Sequence, residues 1–473
     1  MSNPFKYIFI ALFTIGFSAC EDELQLPDNT IEFESDQLGF GADETELLIS
    51  INFSRTTSEA GTLSLSFETT GVVYGTDFTT EPASTAGVLS IDVPKDVTSV
   101  SFKVIKSAGV LLDGDESIEF SMASSVQSLV VGSKSTLSLT FGEILALAGS
   151  IDINGGGANY PNKVFIDLSA KRQTAVARTA WDLGFSSGDD FRVILNSSNG
   201  MMAMAVDKTD LNSVKAADTV GFGAKLSLDA VFAAINAGTP PAWVPEAVTW
   251  IDDPAGDLSK TAIASISATA NENKVYIVNR GNGLGSPPAQ LGWKKIRIVR
   301  NGTGYTLQHA DISATTFSEI QITKDSKYSF QYVSLTTGAV EVEPAKEKWD
   351  IAWTAFTNST NFGSGPVPYY FQDVILQNMN GVGTAQVLSA NIAYENFVEA
   401  DLAGITFGTS QINIGSGWRS GGGPGSGPSL KTDRYYLIKD ADGNIYKLKF
   451  TALIQSGERG RPAFDFELIK SAS

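Results

Sequence analysis

Apolar and polar residues alternate along much of this chain, and long amphipathic helical runs are nearly absent. In residues 47–53, 62–67, 88–93, 100–105, 117–120 and 136–141, every second side chain is apolar. A period of two puts one face of each strand on a core and the other in water. Short strands at this spacing predict a β-sandwich over residues 30–145.

Beyond residue 150 the same kind of pattern occurs twice. Trp181-Asp182-Leu183-Gly184-Phe185 is followed by Phe191-Arg192-Val193-Ile194-Leu195 and then Asn199-Gly200. Trp349-Asp350-Ile351-Ala352-Trp353 is followed by Phe371-Gln372-Asp373-Val374-Ile375-Leu376 and then Asn380-Gly381. Each copy opens on an alternating run, at residues 163–169 and 328–334, and closes on an aromatic-rich strand pair. In the second copy Asp440-Ala441-Asp442-Gly443-Asn444 separates two alternating runs, a strong hairpin signal. Two antiparallel β modules are therefore expected, at 150–315 and 325–473, the first carrying a helical insertion near residues 226–237. Asp182 and Asp350, directly after tryptophan in strands, are expected to make structural hydrogen bonds.

Composition and charge narrow the function. A length of 473 residues exceeds one hydrophobic core, and about 150 residues per domain suggests three domains. The net charge of -18 repels phosphate backbones, so nucleic acid is not an expected partner. Cys20 is the only cysteine, and it follows Lys6 and a short apolar run that ends in Phe17-Ser18-Ala19. That run is too short to span a hydrocarbon core of ~30 Å as a helix. It reads as a signal peptide over residues 1–19, with 20–29 a mature N-terminus and linker. Small residues before a lone cysteine resemble a bacterial lipobox, which implies lipidation of Cys20. Glu21-Asp22-Glu23 resembles the acidic export signal of some Bacteroidota surface lipoproteins.

Two motifs in the sandwich region carry a further resemblance. Tyr74-Gly75-Thr76-Asp77-Phe78 and Asp113-Gly114-Asp115-Glu116-Ser117-Ile118-Glu119-Phe120 are similar to motifs of Calx-beta domains. The resemblance implies Ca²⁺ held by Asp77, Asp113, Asp115 and Glu116, with Glu44 a further candidate. Hard carboxylate oxygens are what that ion requires.

The duplicated part resembles the HmuY-like haem-binding lipoproteins of Bacteroidota. The residues that carry it are Val333-Ser334-Leu335-Thr336-Thr337-Gly338, Trp349-Asp350-Ile351-Ala352-Trp353, and Tyr435-Tyr436-Leu437-Ile438 through Phe450. The fold class expected is mostly β: a Calx-beta-like sandwich followed by two HmuY-like modules. The function implied is capture of haem, or another small apolar ligand, for a TonB-dependent outer-membrane transporter, by a lipid-anchored surface protein. Non-covalent haem needs axial ligands to iron. His309 is the only histidine, and it reads as a surface or hydrogen-bonded residue. The candidates left are Met201, Met202, Met204 and Met379, although clustered methionine also serves as apolar filler. On a strand Met202 and Met204 share a face. Phe362, Tyr369, Tyr370 and Trp418 are candidates to wall a pocket. The Gly-rich run after Arg419 has no Lys-Ser/Thr ending, so it is not a phosphate cradle. No nucleophile or zinc motif assembles a catalytic site, and an enzyme is not expected. The competing reading is an adhesion or glycan-binding protein without iron ligation.

Overall fold

The protein is described by a computed structural model covering residues 28–41, 44–108, 116–124, 129–142, 145–363, 365–422 and 426–472. Cys20, Asp113 and Asp115 lie outside these residues. The chain is mostly β, as the alternation predicts.

The N-terminal part is a sandwich of two five-stranded sheets. In one, Glu46–Phe53 lies between Asn29–Phe33 and Ser99–Lys106; in the other, Ser117–Ser124 lies between Gly61–Thr70 and Thr136–Thr140. Residues such as Ile49, Ile51 and Phe102 meet Leu63, Leu65 and Phe120 in one core. Their polar neighbours face out, so the period-two pattern is the pattern of burial.

The duplicated part forms two units, each of a four-stranded and a five-stranded sheet, and the units exchange strands. The opening hairpin of the first copy, Asn162–Asp167 with Arg172–Ala177, does not pair with its own Trp-Asp strand, Leu183–Ser186. It joins the Trp-Asp strand of the second copy, Ile351–Asn361, through Val164↔Trp353, Phe165↔Ala352 and Ile166↔Ile351. The second copy's opening hairpin, Phe330–Ser334 with Gly338–Val340, returns the exchange. It pairs with Leu183–Ser186 through Leu183↔Val333 and Gly184↔Tyr332.

The flanking strands follow the same rule. Ser318–Ile322 adds to Gly304–Ala310, and Ala148–Asp152 adds to the last strand, Glu458–Lys470. The first structural unit is thus one continuous segment, whereas the second is closed by both ends of the duplicated region. Sequence repeat and structural unit differ by one hairpin.

The two registers make residues of the copies equivalent, and their packing is equivalent too. Trp181 sits edge-on to Tyr332 with ring centres 4.8 Å apart, and Trp349 sits edge-on to Phe165 at 5.0 Å. Each tryptophan therefore packs on the hairpin donated by the other copy, and all four rings share one buried cluster. Two such aromatic contacts contribute about 0.5–1.5 kcal/mol each beyond the area they bury. The aspartates play the structural role expected of them. Asp182 Oδ2 accepts from Leu335 N at 2.6 Å, and Asp350 Oδ2 accepts from Leu168 N at 2.8 Å.

The insertion in the first unit contains the helix Leu228–Asn236. Ser227 caps it, its Oγ accepting from Ala230 N at 3.1 Å. Val231 buries the inner face against Met202, Leu211 and Val244.

The copies differ most in one hairpin. Leu183–Ser186 and Val193–Leu195 are short, while their counterparts Ile351–Asn361 and Pro366–Gln377 are long and reach over the first unit. There Thr357 Oγ1 donates to Ser197 O at 2.9 Å and Tyr370 Oη to Ser198 O at 2.7 Å. This unequal pair of arms leaves a gap at the seam between the units.

Candidate functional site at the seam of the two units

The gap is a cavity of about 580 Å³. Both units build it, and so does the exchanged hairpin. Trp181, Ile194, Phe330, Phe356 and Leu376 supply apolar walls; Lys163 and Lys346 supply ammonium groups; Met379 supplies a thioether. The loop 252–261 closes one side with Asp252, Asp253 and Asp257.

A buried amide in each copy shapes this seam. Asn196 Nδ2 donates to Arg178 O and Trp181 O at 2.7 and 2.8 Å. Its equivalent, Asn378 Nδ2, donates to Lys346 O and Trp349 O at 2.8 and 2.7 Å. The same frame thus presents Arg178 in one copy and Lys346 in the other. Arg178 is buried and spends its guanidinium on Tyr160 O, Ser198 O, Asn199 Oδ1, Asn282 O and Gly283 O. Lys346 lines the cavity instead, and Met379, next to Asn378, does so too.

Met379 is 49% exposed, high for a thioether at a domain seam. It rests on Gly256, where an added Cβ would lie 3.3 Å from its sulfur. Gly256 has φ +88°, so a side chain there would meet both strain and the thioether.

The acids of the loop are occupied by neighbouring backbone amides and side chains. Asp252 Oδ2 accepts from Leu195 N at 2.6 Å and Oδ1 from Ala262 N at 3.0 Å. Burial outweighs these bonds and pushes its carboxyl up to about 7. Asp257 accepts from Ser259 and pairs with Lys260 at 2.9 Å, which holds it below the usual carboxylate range.

The lysines are different. Lys163 is half-buried with its Nζ 4.7 Å from the centre of the Phe165 ring, and desolvation lowers it to about 8 against the pull of Glu343. Neither Lys163 nor Lys346 has a carboxylate within ion-pair distance among the described residues.

The other sequence candidates lie elsewhere. Met201 is packed with Leu183 and Val278 in the core of the first unit. Met202 and Met204 do share a face, and it packs against Leu211 and Val231. His309 is the last but one residue of Gly304–Ala310, paired across with Ile296 and Ser318, and burial lowers its pKa. Phe362 and Tyr369 form an aromatic group with Phe232 at the tip of the long hairpin. Trp418 is fully buried, stacked on Phe450 at 4.1 Å. In the sandwich, Asp77 Oδ2 accepts from Val73 N at 2.7 Å and Glu116 is buried. Glu44 pairs with Arg172 at 3.2 Å. Among the described residues no three His, Cys, Asp or Glu side chains are grouped to hold a metal ion.

A second cavity, of about 720 Å³, separates the sandwich from the second unit. Its polar side chains bond one another: Asn154 Nδ2 to Asn52 Oδ1 at 2.9 Å, Gln455 Nε2 to Asp152 Oδ1 at 3.2 Å, Arg461 Nε to Glu458 Oε2 at 3.3 Å. The seam cavity combines apolar walls with lysine, aspartate, serine and amide side chains, and it has the size of a small-molecule site.

The family model for HmuY protein matches residues 159–323 and again 326–466. The chain belongs to the HmuY family. The matched residues take in the first unit, the seam, and all of the second unit except Ala148–Asp152 and the end of its last strand. Among solved structures, a Bacteroides vulgatus protein described as HmuY-like and heme-binding aligns at 10% identity, over 69% of this chain and 93% of that one, with a TM-score of 0.19. The apo-form Calx CBD1 domain aligns at 12% identity, over 25% and 99%, with a TM-score of 0.21. A two-domain protein of unknown function from Bacteroides fragilis aligns at 10% identity, over 40% and 74%, with a TM-score of 0.19. No curated protein matches the chain. No helix among the described residues is long and apolar enough to cross a membrane.

Proposed function

We propose that this HmuY-family protein binds haem or a related porphyrin at the seam of its two units and delivers it to a TonB-dependent transporter. The observation that carries this reading is the seam cavity itself. At about 580 Å³ it lies in the ~300–1,000 Å³ range of small-molecule sites. Its walls from Ile194, Phe330, Phe356 and Leu376 suit the flat apolar body of a tetrapyrrole. In this reading Met379 faces the bound ring, while Met201, Met202 and Met204 serve packing. Cys20 is the lipidated residue that anchors the protein at the outer face of the outer membrane. The activity is capture and release, not catalysis.

Titration of the purified protein with haem, followed at the Soret band, tests the proposal. A saturable shift at one equivalent supports it, and Met379→Ala should displace the band. Binding of glycans with no Soret change would instead favour the adhesion reading.

A further inference from the structure

We propose that the seam recognises the two acid groups and the flat apolar body of a tetrapyrrole, not its metal. Metal-free and metal-bearing dicarboxylic porphyrins are then taken alike. The inference rests on the porphyrin reading above and deepens it.

The chain has 52 acidic and 34 basic residues, and aspartates share the seam cavity with Lys163 and Lys346. In such a protein a lysine finds a carboxylate easily: Lys208 pairs with Asp218 at 2.7 Å and Lys294 with Asp311 at 2.6 Å. Lys163 and Lys346 do not, although Asp189, Asp252, Asp253 and Asp257 line the same cavity. Asp189 is exposed, and the other three are engaged: Asp252 by the amides of Leu195 and Ala262, Asp253 by Asp257 N at 3.3 Å, Asp257 by Ser259 and Lys260. Glu343, which acts on Lys163 from a distance, is spent on Phe330 N at 2.8 Å and Tyr332 Oη at 3.1 Å. A half-buried ammonium without a carboxylate costs stability, and the Phe165 ring face offsets this only in part for Lys163. Two of them facing one cavity match a ligand that brings two carboxylates.

The metal finds no comparable provision. A grip on iron takes axial donors such as imidazole, thioether or phenolate. The cavity offers one thioether, Met379, and one phenol, Tyr328, and no imidazole among the described residues. Recognition through walls and acid groups is indifferent to what fills the ring centre.

Four ligands separate the alternatives: haem, zinc protoporphyrin, metal-free protoporphyrin IX, and protoporphyrin IX dimethyl ester, each titrated by absorbance and tryptophan quenching. The first three are expected to bind within about threefold of one another, and the diester about thirtyfold more weakly. Lys163→Gln and Lys346→Gln should each weaken the diacids about tenfold and leave the diester unchanged. Thermal melting of both variants checks that the fold survives. Haem binding without metal-free binding, or a diester bound as tightly as the diacid, overturns the inference and leaves the porphyrin reading standing. Failure of all four ligands overturns both.

Discussion

The two copies use one frame with opposite electrostatics. In the first, Asp182 is 1% exposed, accepts from Leu335 N and holds Arg280 in a two-pronged pair at 2.7 and 3.0 Å. In the second, the equivalent Asp350 accepts from Leu168 N, but Asp440 stands where Arg280 stands in the first copy. Burial, then repulsion from Asp167, hold the Asp350 carboxyl well above the usual range, with Asp440 and Asp442 adding to it. The hydrogen bond to the exchanged hairpin is common to both copies and the ion pair is not. The aspartate thus serves first to fasten the exchange, because that is the contact both sites keep.

The largest test breaks the exchange itself. Residues 325–473 produced alone lack the hairpin Asn162–Asp167 and Arg172–Ala177 and leave Ile351–Asn361 with an open edge. The expected outcome is loss of a cooperative melt, or a dimer that restores the exchange between chains. Residues 178–345, which hold the first unit with the hairpin it receives, should melt cooperatively. Cooperative melting of monomeric 325–473 would mean that the exchange is dispensable.

Next in size is Asp182→Ala, which strands the partly buried Arg280 guanidinium and the Leu335 amide. About 3–5 kcal/mol should be lost, read from denaturant midpoints. Asn378→Ala removes two hydrogen bonds to buried carbonyls and should cost about 2–3 kcal/mol. Asn196→Ala should cost the same. Asn378→Ala should also weaken porphyrin binding, because that frame presents Lys346 and Met379 to the cavity.

The exchange leaves no trace in hydrophobic periodicity. Phe165 and Tyr332 occupy equivalent places in equivalent hairpins, so pairing within a copy or between copies satisfies the same hydrogen bonds. Alternation reveals which residues form strands and which face is buried; it carries no information about partner choice. The duplication is readable because Trp181-Asp182 and Trp349-Asp350 hold the frame in both copies. The helix Leu228–Asn236 is readable from Ser227 and the apolar spacing behind it. The cavity is not, since Lys163, Asp252 and the hairpin that carries Phe356 and Met379 come from three distant segments that meet only once the hairpins are exchanged. The Met201–Met204 cluster draws attention for its chemistry, but on its strand each methionine meets apolar neighbours.

The smallest effect concerns the unpaired aspartate, and its sign is opposite. The folded protein holds a proton on Asp350 over pH values at which the unfolded chain has released it. The native state then binds more protons, so stability falls as pH rises from the ordinary carboxylate range through the raised value. Asp252 and Glu34, both pushed up to about 7 by burial, add to that fall. Asp350→Asn removes one contribution and leaves the others, so the difference between variant and parent isolates this site. Its amide oxygen can still accept from Leu168 N. Near pH 4 the two proteins should unfold at the same denaturant concentration. By pH 8 the variant should be the more stable, by on the order of 1 kcal/mol. A gap that stays constant across this range would mean that Asp350 is ionised in the folded protein, and that some counter-charge stands in the second copy for Arg280 after all.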